Sequence, residues 1–575
     1  MTKGKNNPQK KLLIVGGVAG GATAAAHARR LSEDAEIIVF ERGPCVSFAN
    51  CGLPYYVGGE IRDREDLLLQ TPESLKARFN LDVRIRSEVV AIDPKKKEIE
   101  IHDLNANNTY SLQYDDLILS TGAAPVKPPI PGIEREGHFS VRGIPDVESM
   151  TAWIEKTQAR RAVVVGGGFI GLEMVEQLHR RGIEVTVVEA LPQVMAPFDE
   201  EMAGWLHHEL GAHDVKLHLS DAVDRFDAPM ENEKASASVV VLKSGTRLSA
   251  DLVVLALGVR PEITLAQAAK LEIGKHGGIR VDEQLQTSEP NIWAIGDAIE
   301  VRDCVTGNWT WVPLAGPANR QGRIVAENVL GADLKYPGTL GTAIVRLFGL
   351  VAACTGASEK QLLKAGILYD VVHLHPASHA GYYPGGHRLA MKILFSPEDG
   401  KLLGAQIIGN EGVDKRIDVL ATALKAGMTV HDLEELELAY APPFGSAKDP
   451  VNLAGMVAQH IIQGEVQNVQ WHEHPEPDLS KVTFLDVRDL EERESIGFIP
   501  GSIHIPLTEL RARSDNLPKD KEIVVYCQTG QRSYFASRIL VQKGFQVRNL
   551  SGGYRTWQIA RDARKTSAGS LDSEQ

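Results

Sequence analysis

The chain has 575 residues, more than one hydrophobic core usually serves, so three or four domains are expected. Its net charge of −13 at pH 7 argues against nucleic acid or an anionic membrane as the main partner. No apolar run is long enough to span a bilayer, and the N-terminus lacks the apolar stretch of a secretion signal. We therefore expect a cytoplasmic protein whose partners are small molecules.

The five cysteines are widely spaced, which argues against a disulfide framework and against a paired-cysteine metal site. They are Cys45, Cys51, Cys304, Cys354 and Cys527. In a reducing compartment, a cysteine is either a core residue or a reactive thiol. The stretches around Cys304 and Cys354 show no feature of a reactive site, so both are interpreted as structural, and no metal is expected.

A first dinucleotide-binding unit is predicted at the N-terminus. The apolar run Leu12–Val15 turns through glycines into an alanine-rich helix, and the next apolar strand ends in Glu41. Glycines let the backbone approach a pyrophosphate at a helix N-terminus, and the acid bonds a ribose hydroxyl. Val18 stands where the middle glycine of the motif is expected, so a strand–helix turn without a ligand is the alternative. The residues predicted to contact this dinucleotide are Gly16, Gly17, Val18, Ala19, Gly20, Glu41 and Arg42.

A second unit follows, and here the glycine spacing of the motif is intact. An apolar strand leads into Gly166, Gly168 and Gly171, and then into a helix. The following strand ends in Glu189, whose carboxylate would bond a ribose 2′-hydroxyl and repel a 2′-phosphate. NADH is therefore favoured, with NADPH as the alternative. The residues predicted to bind this second dinucleotide are Gly166, Gly168, Ile170, Gly171 and Glu189.

Three strand-and-glycine stretches accompany the two units: LILSTGAAP, LVVLALGVRP and NIWAIGDAIE. In the last, Asp297 follows a strand and a glycine, where an acid can bond a ribityl hydroxyl of FAD. These five landmarks, in this order, resemble the flavoprotein disulfide reductases with two dinucleotide-binding domains, over about residues 10–465. The resemblance implies FAD and a nicotinamide nucleotide as cofactors. The further cofactor-binding residues in these stretches are Thr121, Gly122, Gly258, Gly296 and Asp297.

The stretch SFANCGLPYY indicates the branch of that family. Most members relay electrons through two cysteines in C-x-x-x-x-C spacing, whereas Cys45 and Cys51 are six positions apart, and Cys45 is interpreted as a bystander. A single cysteine in this stretch resembles the coenzyme A-disulfide reductases. The resemblance implies that Cys51 forms a mixed disulfide or persulfide beside the flavin, with its pKa lowered by a helix N-terminus and polar donors. A buried structural cysteine is the alternative.

Further residues match the same branch and imply its coenzyme A contacts. Arg30 would bind a phosphate bidentately, and its alternative role is to stabilise the helix end. Tyrosines of the partner subunit supply the proton donor in this branch; Tyr440 and Tyr382 match them, with interface packing as the alternative. The resemblance therefore implies a homodimer whose active sites are shared between the two subunits. The residues expected to bind coenzyme A are Thr23, His27, Arg30, Ser47, Asn50, Asn319 and Lys448.

A second sulfur centre is predicted near the C-terminus. A buried strand runs into Cys527, followed by a loop and a helix, in a pattern that resembles the rhodanese domain. The loop from Cys527 to Arg532 has six residues, one fewer than in related phosphatases, which favours sulfur over phosphate. Backbone N–H groups of the loop would stabilise a persulfide, and Arg532 would steer anionic sulfur donors into it. Asp486 and Arg488 are interpreted as a structural pair, and an inactive rhodanese fold is the alternative.

Together these patterns predict an α/β protein with two Rossmann-like dinucleotide-binding domains, an α+β dimerisation domain and a C-terminal α/β rhodanese domain. The expected activity is NADH-dependent reduction of coenzyme A persulfide, polysulfide or coenzyme A disulfide at Cys51, with sulfane-sulfur transfer at Cys527. The alternatives are an NADH peroxidase or oxidase that cycles Cys51 through a sulfenic acid, and a redox-sensing sulfur carrier. The predicted boundaries are 10–125 and 256–335 for FAD binding, 126–255 for the nicotinamide nucleotide, 336–465 for dimerisation, 466–473 for a linker, 474–562 for the rhodanese domain and 563–575 for a disordered tail.

Overall fold

The structure is a computed structural model that describes residues 10–229, 237–475 and 478–568. The chain divides into two compact units. The first comprises the chain up to Gly166 with Glu173–Val185 and Val223–Gly341, and the second comprises Gly167–Leu172, Thr186–Ala222 and the chain from Thr342. Within the described residues, no helix combines the length and the apolar character that crossing a membrane requires.

A parallel five-stranded sheet forms the core of the first unit. Its strands are short runs of Leu, Ile and Val with little exposed surface, as in parallel sheets that helices cover on both faces. The helix Ala19–Leu31 follows the first strand and packs against the helix Ala315–Val329. In sheet order, the strands are Ile292–Ala294, Asp116–Leu119, Lys11–Val15, Glu36–Glu41 and Asp82–Ile85.

Smaller sheets and helices complete the first unit. The strands Arg161–Val165, Leu252–Leu255 and His138–Phe139 pair in parallel. The antiparallel sheets are Ser87–Asp93, Glu98–Asp103 and Asn108–Gln113; Val223–Asp227, Ser238–Leu242 and Arg247–Ala250; Ala123–Pro125 and Val259–Pro261; and Val301–Arg302 and Trp309–Thr310. The further helices are Leu53–Val57, Pro72–Phe79, Ile144–Thr157 and Thr264–Ala268, and the helix Phe169–Arg180 follows the second glycine motif.

An antiparallel five-stranded sheet with flanking helices forms the larger part of the second unit, in the α+β arrangement predicted for the dimerisation domain. Its strands, in sheet order, are Ala343–Leu347, Leu350–Gly356, Leu402–Gly409, Ala390–Phe395 and Asp370–Leu374. The helices are Glu200–Ala212, Glu359–Ala365, Val413–Ala426, Val430–Glu435 and Pro450–Ile462. The strand Glu184–Val188 pairs in parallel with Lys216–His218.

The C-terminal part of the second unit is a parallel sheet with helices. One cluster of buried side chains, which includes Cys527, packs against the helix Gln531–Gln542, and another contains Trp471 and Trp557. In sheet order, the strands are Asn468–Val469, Val547–Leu550, Glu522–Tyr526, Val482–Asp486 and Ile503–His504. The helices are Leu490–Ile496, Leu507–Arg513, Gln531–Gln542 and Gly553–Ala568.

Two of the predicted boundaries differ from the structure. The predicted linker 466–473 contains the edge strand Asn468–Val469 and the buried Trp471, so it belongs to the C-terminal domain. A two-residue strand is too short to show alternation in the sequence. The helix Gly553–Ala568 extends into the predicted tail because Ala563 packs beside Gly204, and the residues after Ala568 lie outside the described part of the chain.

Candidate active sites

The glycine turn after the first strand has the shape that a dinucleotide requires. Gly16 has a φ of +97°, and a Cβ there would lie 2.1 Å from the carbonyl oxygen of Ser120, so only glycine fits. The helix that starts at Ala19 has no side-chain cap, so its first N–H groups are available to bind a phosphate. The carboxylate of Glu41, at the end of its strand, accepts a hydrogen bond from the Gly17 N–H at 3.0 Å. This cradle fits the pyrophosphate and ribose of FAD.

Asp297 lies where the chain leaves the edge strand of the same sheet, in the 3₁₀ turn Gly296–Ala298. Burial raises the pKa of its carboxyl group to about 6. Gly296 has a φ of +72°, and its N–H donates a hydrogen bond to Oε1 of Gln321 at 2.7 Å, which fixes the turn. A partly desolvated carboxyl group in this place suits a polyol, so the residue fits the predicted ribityl contact.

Four other residues predicted to bind FAD differ in whether they contact the protein or leave space for a ligand. The Thr121 hydroxyl donates to a backbone carbonyl at 2.6 Å, and Arg42 forms a half-exposed ion pair with Glu88 at 3.3 Å. Gly122 and Gly258 have φ values of +71° and +93°, with open space where a Cβ would stand. The two glycines therefore leave room for a ligand, whereas Thr121 and Arg42 are engaged with the protein.

The second glycine turn repeats the geometry of the first. Gly166 has a φ of +111°, and a Cβ there would lie 2.1 Å from the carbonyl oxygen of Ala256. The Gly167 N–H donates to the carboxylate of Glu189 at 2.7 Å, as Gly17 does to its own strand-end acid. A Cβ at Gly168 would meet no atom within 4 Å, so space for a ligand lies beside it. The helix begins at Phe169, so Ile170 and Gly171 lie in its first turn, not before it as the sequence had suggested.

Cys51 lies in the 3₁₀ turn Asn50–Gly52, immediately before the short helix Leu53–Val57, and is exposed. The pKa of its thiol is raised, first by partial desolvation and then by the carboxylates of Glu173 and Asp297. A backbone hydrogen bond acts in the opposite direction but is outweighed. The predicted lowering of this pKa by the chain's own groups is therefore wrong, because partial desolvation and then the two nearby carboxylates disfavour the thiolate.

Several residues predicted to bind coenzyme A come together on two neighbouring helices of the first unit. Thr23 Oγ1 donates to Oδ1 of Asn319 at 2.5 Å. The buried His27 lies 3.1 Å from Glu327 through Nε2, and its Nδ1 accepts from the exposed Arg30 at 3.0 Å. The arrangement holds the Arg30 guanidinium at the surface, where a phosphate could reach it. The two further predicted contacts, in the Cys51 loop, are Ser47 and Asn50.

Tyr382 and Tyr440 form a hydroxyl pair in the second unit, with their oxygen atoms 2.7 Å apart. Both side chains are exposed, and the hydrogen bond raises the pKa of Tyr382 above that of an ordinary tyrosine. Each hydroxyl carries both a donor and acceptor lone pairs, so the pair can present a hydrogen-bond donor to a ligand. The predicted coenzyme A contact Lys448 is also exposed, one residue before the N-cap Asp449 of a helix.

Cys527 lies fully buried at the end of the strand Glu522–Tyr526. Its Sγ accepts a hydrogen bond from the Gly530 N–H at 3.2 Å and another from the Ser533 hydroxyl at 3.5 Å. Gly530 has a φ of +94°, and it turns the loop into the next helix. The loop thus directs donors at the sulfur, as the rhodanese pattern predicts.

Arg532 does not stand free at the loop mouth. Its guanidinium binds the carboxylate of Glu492 in a bidentate pair at 2.5 and 2.7 Å, and Asp489 lies 3.5 Å away. The two carboxylates therefore offset the positive charge with which Arg532 was predicted to attract anions. Asp486 and Arg488 form the expected buried pair at 2.7 Å. Glu492 was not visible as a site residue in the sequence, because 40 positions separate it from its partner.

Comparisons with known proteins agree with this geometry. The family model described as pyridine nucleotide-disulphide oxidoreductase matches residues 10–322, and the model of its dimerisation domain matches residues 342–450. A rhodanese-like domain matches residues 470–560. The first match covers more than half of the chain. The chain belongs to the pyridine nucleotide-disulphide oxidoreductase family.

Similar proteins extend over nearly the whole chain. The crystal structure of reduced CoADR-RHD from Bacillus anthracis is 50% identical, with a TM-score of 0.94 over 97% of this chain and 100% of that one. The structure of a NAD-dependent persulfide reductase from A. fulgidus is 38% identical, with a TM-score of 0.88 over 95% and 100%. The coenzyme A disulfide reductase of Staphylococcus haemolyticus is 34% identical over 79% of this chain and all of its own. The NADH oxidase of Methanocaldococcus jannaschii is 36% identical over 77% and 97%.

Family membership confirms the predicted fold class and the predicted enzyme class. This oxidoreductase works with FAD and a nicotinamide nucleotide, and the two glycine turns described above fit their pyrophosphates. The individual site residues stay predictions, supported by their places in the two units.

A buried charge cluster lies in the second unit of this oxidoreductase. Lys392 has no exposed surface, and its ammonium group lies 2.9 Å from Asp199, 2.5 Å from Glu201 and in contact with Glu359. The three carboxylates offer ligand atoms within 4.8 Å of one another, a set that could hold a metal ion. Here the lysine supplies the cation. The sequence gives no sign of this cluster, because up to 193 positions separate its members.

The cluster reaches the Cys527 loop through hydrogen bonds. His373 Nε2 lies 3.0 Å from Glu201, and the His373 backbone N–H donates to Oγ of Ser551 at 3.1 Å. Ser551 precedes the helix Gly553–Ala568, whose Tyr554 N–H donates to the carbonyl of Cys527 at 2.8 Å. The antiparallel domain therefore supports the loop that carries the second sulfur.

Proposed function

We propose that this enzyme uses NADH to reduce the sulfur–sulfur bond of coenzyme A persulfide, polysulfide or coenzyme A disulfide. Cys51 is the sulfur that reacts beside the flavin, and Cys527 transfers sulfane sulfur. The observation that carries the proposal is the presence of both centres in one chain: a lone accessible thiol near the predicted FAD carboxyl Asp297, and a thiol in a donor-lined rhodanese loop. The similarity to a persulfide reductase over 95% of the chain supports it.

In the proposed chemistry at Cys51, NADH is oxidised and the sulfur–sulfur bond of the substrate is reduced. The thiolate attacks the inner sulfur of coenzyme A persulfide, the sulfur–sulfur bond breaks, and hydrosulfide leaves, so a mixed disulfide joins Cys51 to coenzyme A. FAD, when bound, carries two electrons from NADH to this disulfide. With one proton, the two electrons regenerate the Cys51 thiolate and release the coenzyme A thiol. The exposed hydroxyl of Tyr382 supplies that proton.

The binding residues have matching roles. Arg30 holds a phosphate of coenzyme A, and Thr23 with Asn319 contacts its chain, since these residues lie together on two packed helices. Glu189 favours NADH because its carboxylate stands at the ribose end of the second turn. The enzyme acts as a homodimer in which Tyr382 and Tyr440 serve the site of the other subunit, as the exposure of both side chains allows.

An NADH oxidase activity is not favoured. The oxidase from Methanocaldococcus jannaschii matches 77% of the chain, whereas the two structures that match at least 95% are CoADR-RHD and a persulfide reductase. An oxidase that used dioxygen alone would also leave Cys527 and its donor-lined loop without a role.

The proposal is tested by following NADH oxidation with coenzyme A persulfide and with coenzyme A disulfide. Cys51→Ser should lower both rates at least about 100-fold while FAD stays bound, because the nucleophile is lost. Cys304→Ser, at an exposed cysteine outside both sites, is the matched control and should keep the full rate. Cys527→Ser should keep coenzyme A disulfide reduction and lose sulfur transfer to cyanide. A Cys51→Ser enzyme with the rate of the parent protein contradicts the assignment.

A further inference from the structure

An ion pair lies at the end of the Cys527 loop, which we call its mouth. Both terminal nitrogens of Arg532 bind the carboxylate of Glu492, at 2.5 and 2.7 Å, in the bidentate geometry that gives strong pairs. Asp489 adds a second carboxylate 3.5 Å from the same guanidinium. The guanidinium edge formed by the two terminal nitrogens, which an anionic substrate could use, is therefore already engaged by Glu492.

The charged side chains around this mouth balance one another: three arginines, Arg532, Arg488 and Arg493, face three carboxylates. Arg532 faces two carboxylates, those of Glu492 and Asp489. Arg488 and Arg493 both bind Asp486, and Arg488 also donates to the side chain of Gln528 in the loop at 2.9 Å. An incoming dianion thus meets no net positive charge near Arg532, so the electrostatic attraction that would hold it there is small.

Apolar side chains lie beside the ion pair. Ile496 follows Glu492 by one helical turn, and it is 41% exposed. Phe535 follows Arg532 by three positions on its own helix, and it is 47% exposed. Exposed apolar surface next to a neutralised guanidinium suits an uncharged chain better than a small, strongly hydrated anion.

We propose that Glu492 determines the specificity of sulfur transfer at Cys527: by occupying Arg532 it excludes small sulfur dianions, so that the donor carries its sulfur on an uncharged arm. This inference rests on the proposed role of Cys527 as a sulfur-transfer group. It names the substrate class of that site, a persulfide of an uncharged thiol chain, and it identifies thiosulfate as a poor donor.

Both transfers are balanced without a further reactant. With a persulfide R–S–SH, the Cys527 thiolate attacks the outer sulfur, the sulfur–sulfur bond breaks, and R–S⁻ leaves a Cys527 persulfide behind. With thiosulfate, the same attack releases sulfite. Cyanide then takes the outer sulfur as thiocyanate and returns the Cys527 thiolate.

The test compares two donors in the full-length holoenzyme, with thiocyanate formation as the readout. The donors are thiosulfate and the persulfide of N-acetylcysteamine, which has an uncharged arm. Glu492→Gln should raise kcat/KM for thiosulfate at least about tenfold, mostly through a lower KM, because the guanidinium becomes free to bind the dianion. The same variant should change kcat/KM for the persulfide less than about twofold. Glu494→Gln, at an exposed acid on the same helix, is the control and should change neither value.

A second measurement needs no variant. In the parent enzyme, added potassium chloride should leave kcat/KM nearly constant for both donors, because Glu492 already neutralises Arg532 and little attraction of the thiosulfate dianion is left for salt to screen. The inference is overturned if Glu492→Gln alters both donors equally, if Glu494→Gln has the same effect, or if salt lowers the thiosulfate value. If the parent enzyme and Cys527→Ser form thiocyanate at equal rates, the proposed role of Cys527 fails, and this inference fails with it.

Discussion

Replacing Lys392 by methionine tests the buried charge cluster most directly. The ammonium group has no exposed surface and lies against the carboxylates of Asp199, Glu201 and Glu359. Methionine has a side chain of similar length, but it leaves the three carboxylates without the ammonium group of Lys392. Removing one partner from a buried ion pair costs about 3–5 kcal/mol, because an uncompensated charge stays buried.

That loss corresponds to a fall in the melting midpoint of roughly 6–20 °C for a unit of this size. Thermal unfolding at pH 7, followed by circular dichroism, measures it. Lys425→Met, at an exposed lysine near the end of a surface helix, is the matched control and should stay within about 2 °C of the parent protein.

The pH dependence gives the sign of the effect. In the parent protein, Lys392 lowers the pKa of Glu201 and of Glu359, so their stabilisation is present above an unfolded pKa of about 4.3 and is lost as the pH falls through the lower folded values. Without the lysine, burial raises both pKa values, and protonation relieves the repulsion. The fall in melting midpoint caused by Lys392→Met should therefore be smaller at pH 5 than at pH 7. A variant that melts with the parent protein at pH 7, or whose deficit grows towards pH 5, refutes this reasoning.

Two further substitutions test the first unit. Glu173→Gln should lower the pKa of the Cys51 thiol and speed its alkylation by iodoacetamide severalfold at pH 7, because one of the carboxylates that raise this pKa becomes neutral. Glu134→Gln, at an exposed acid, is the control and should have no effect. An unchanged alkylation rate in Glu173→Gln contradicts the electrostatic account. Gly16→Ala should yield protein with little bound FAD, measured by absorbance at 450 nm, because the new Cβ would stand 2.1 Å from a carbonyl oxygen. Gly211→Ala, where a Cβ meets no atom within 4 Å, is the control and should keep its flavin. Full flavin content in Gly16→Ala contradicts the assignment of this glycine turn to FAD binding.

Much of the molecule is predictable from short stretches of sequence. The two glycine turns and their strand-end acids are local patterns of backbone and side chain, and the structure places Glu41 and Glu189 on the N–H groups of Gly17 and Gly167. The rhodanese loop is equally local, because six consecutive residues contain both its thiol and its arginine. In these places, spacing along the chain fixes spacing in the fold.

The electrostatic setting of both sulfurs was decided by the tertiary structure. The sequence shows a lone Cys51 but not that Glu173, far along the chain, helps to raise its pKa. It shows Arg532 but not the carboxylate of Glu492 that occupies it. Residue types and turns follow from local pattern, whereas Coulomb interactions depend on distance in space, and folding brings together charges that the sequence keeps apart.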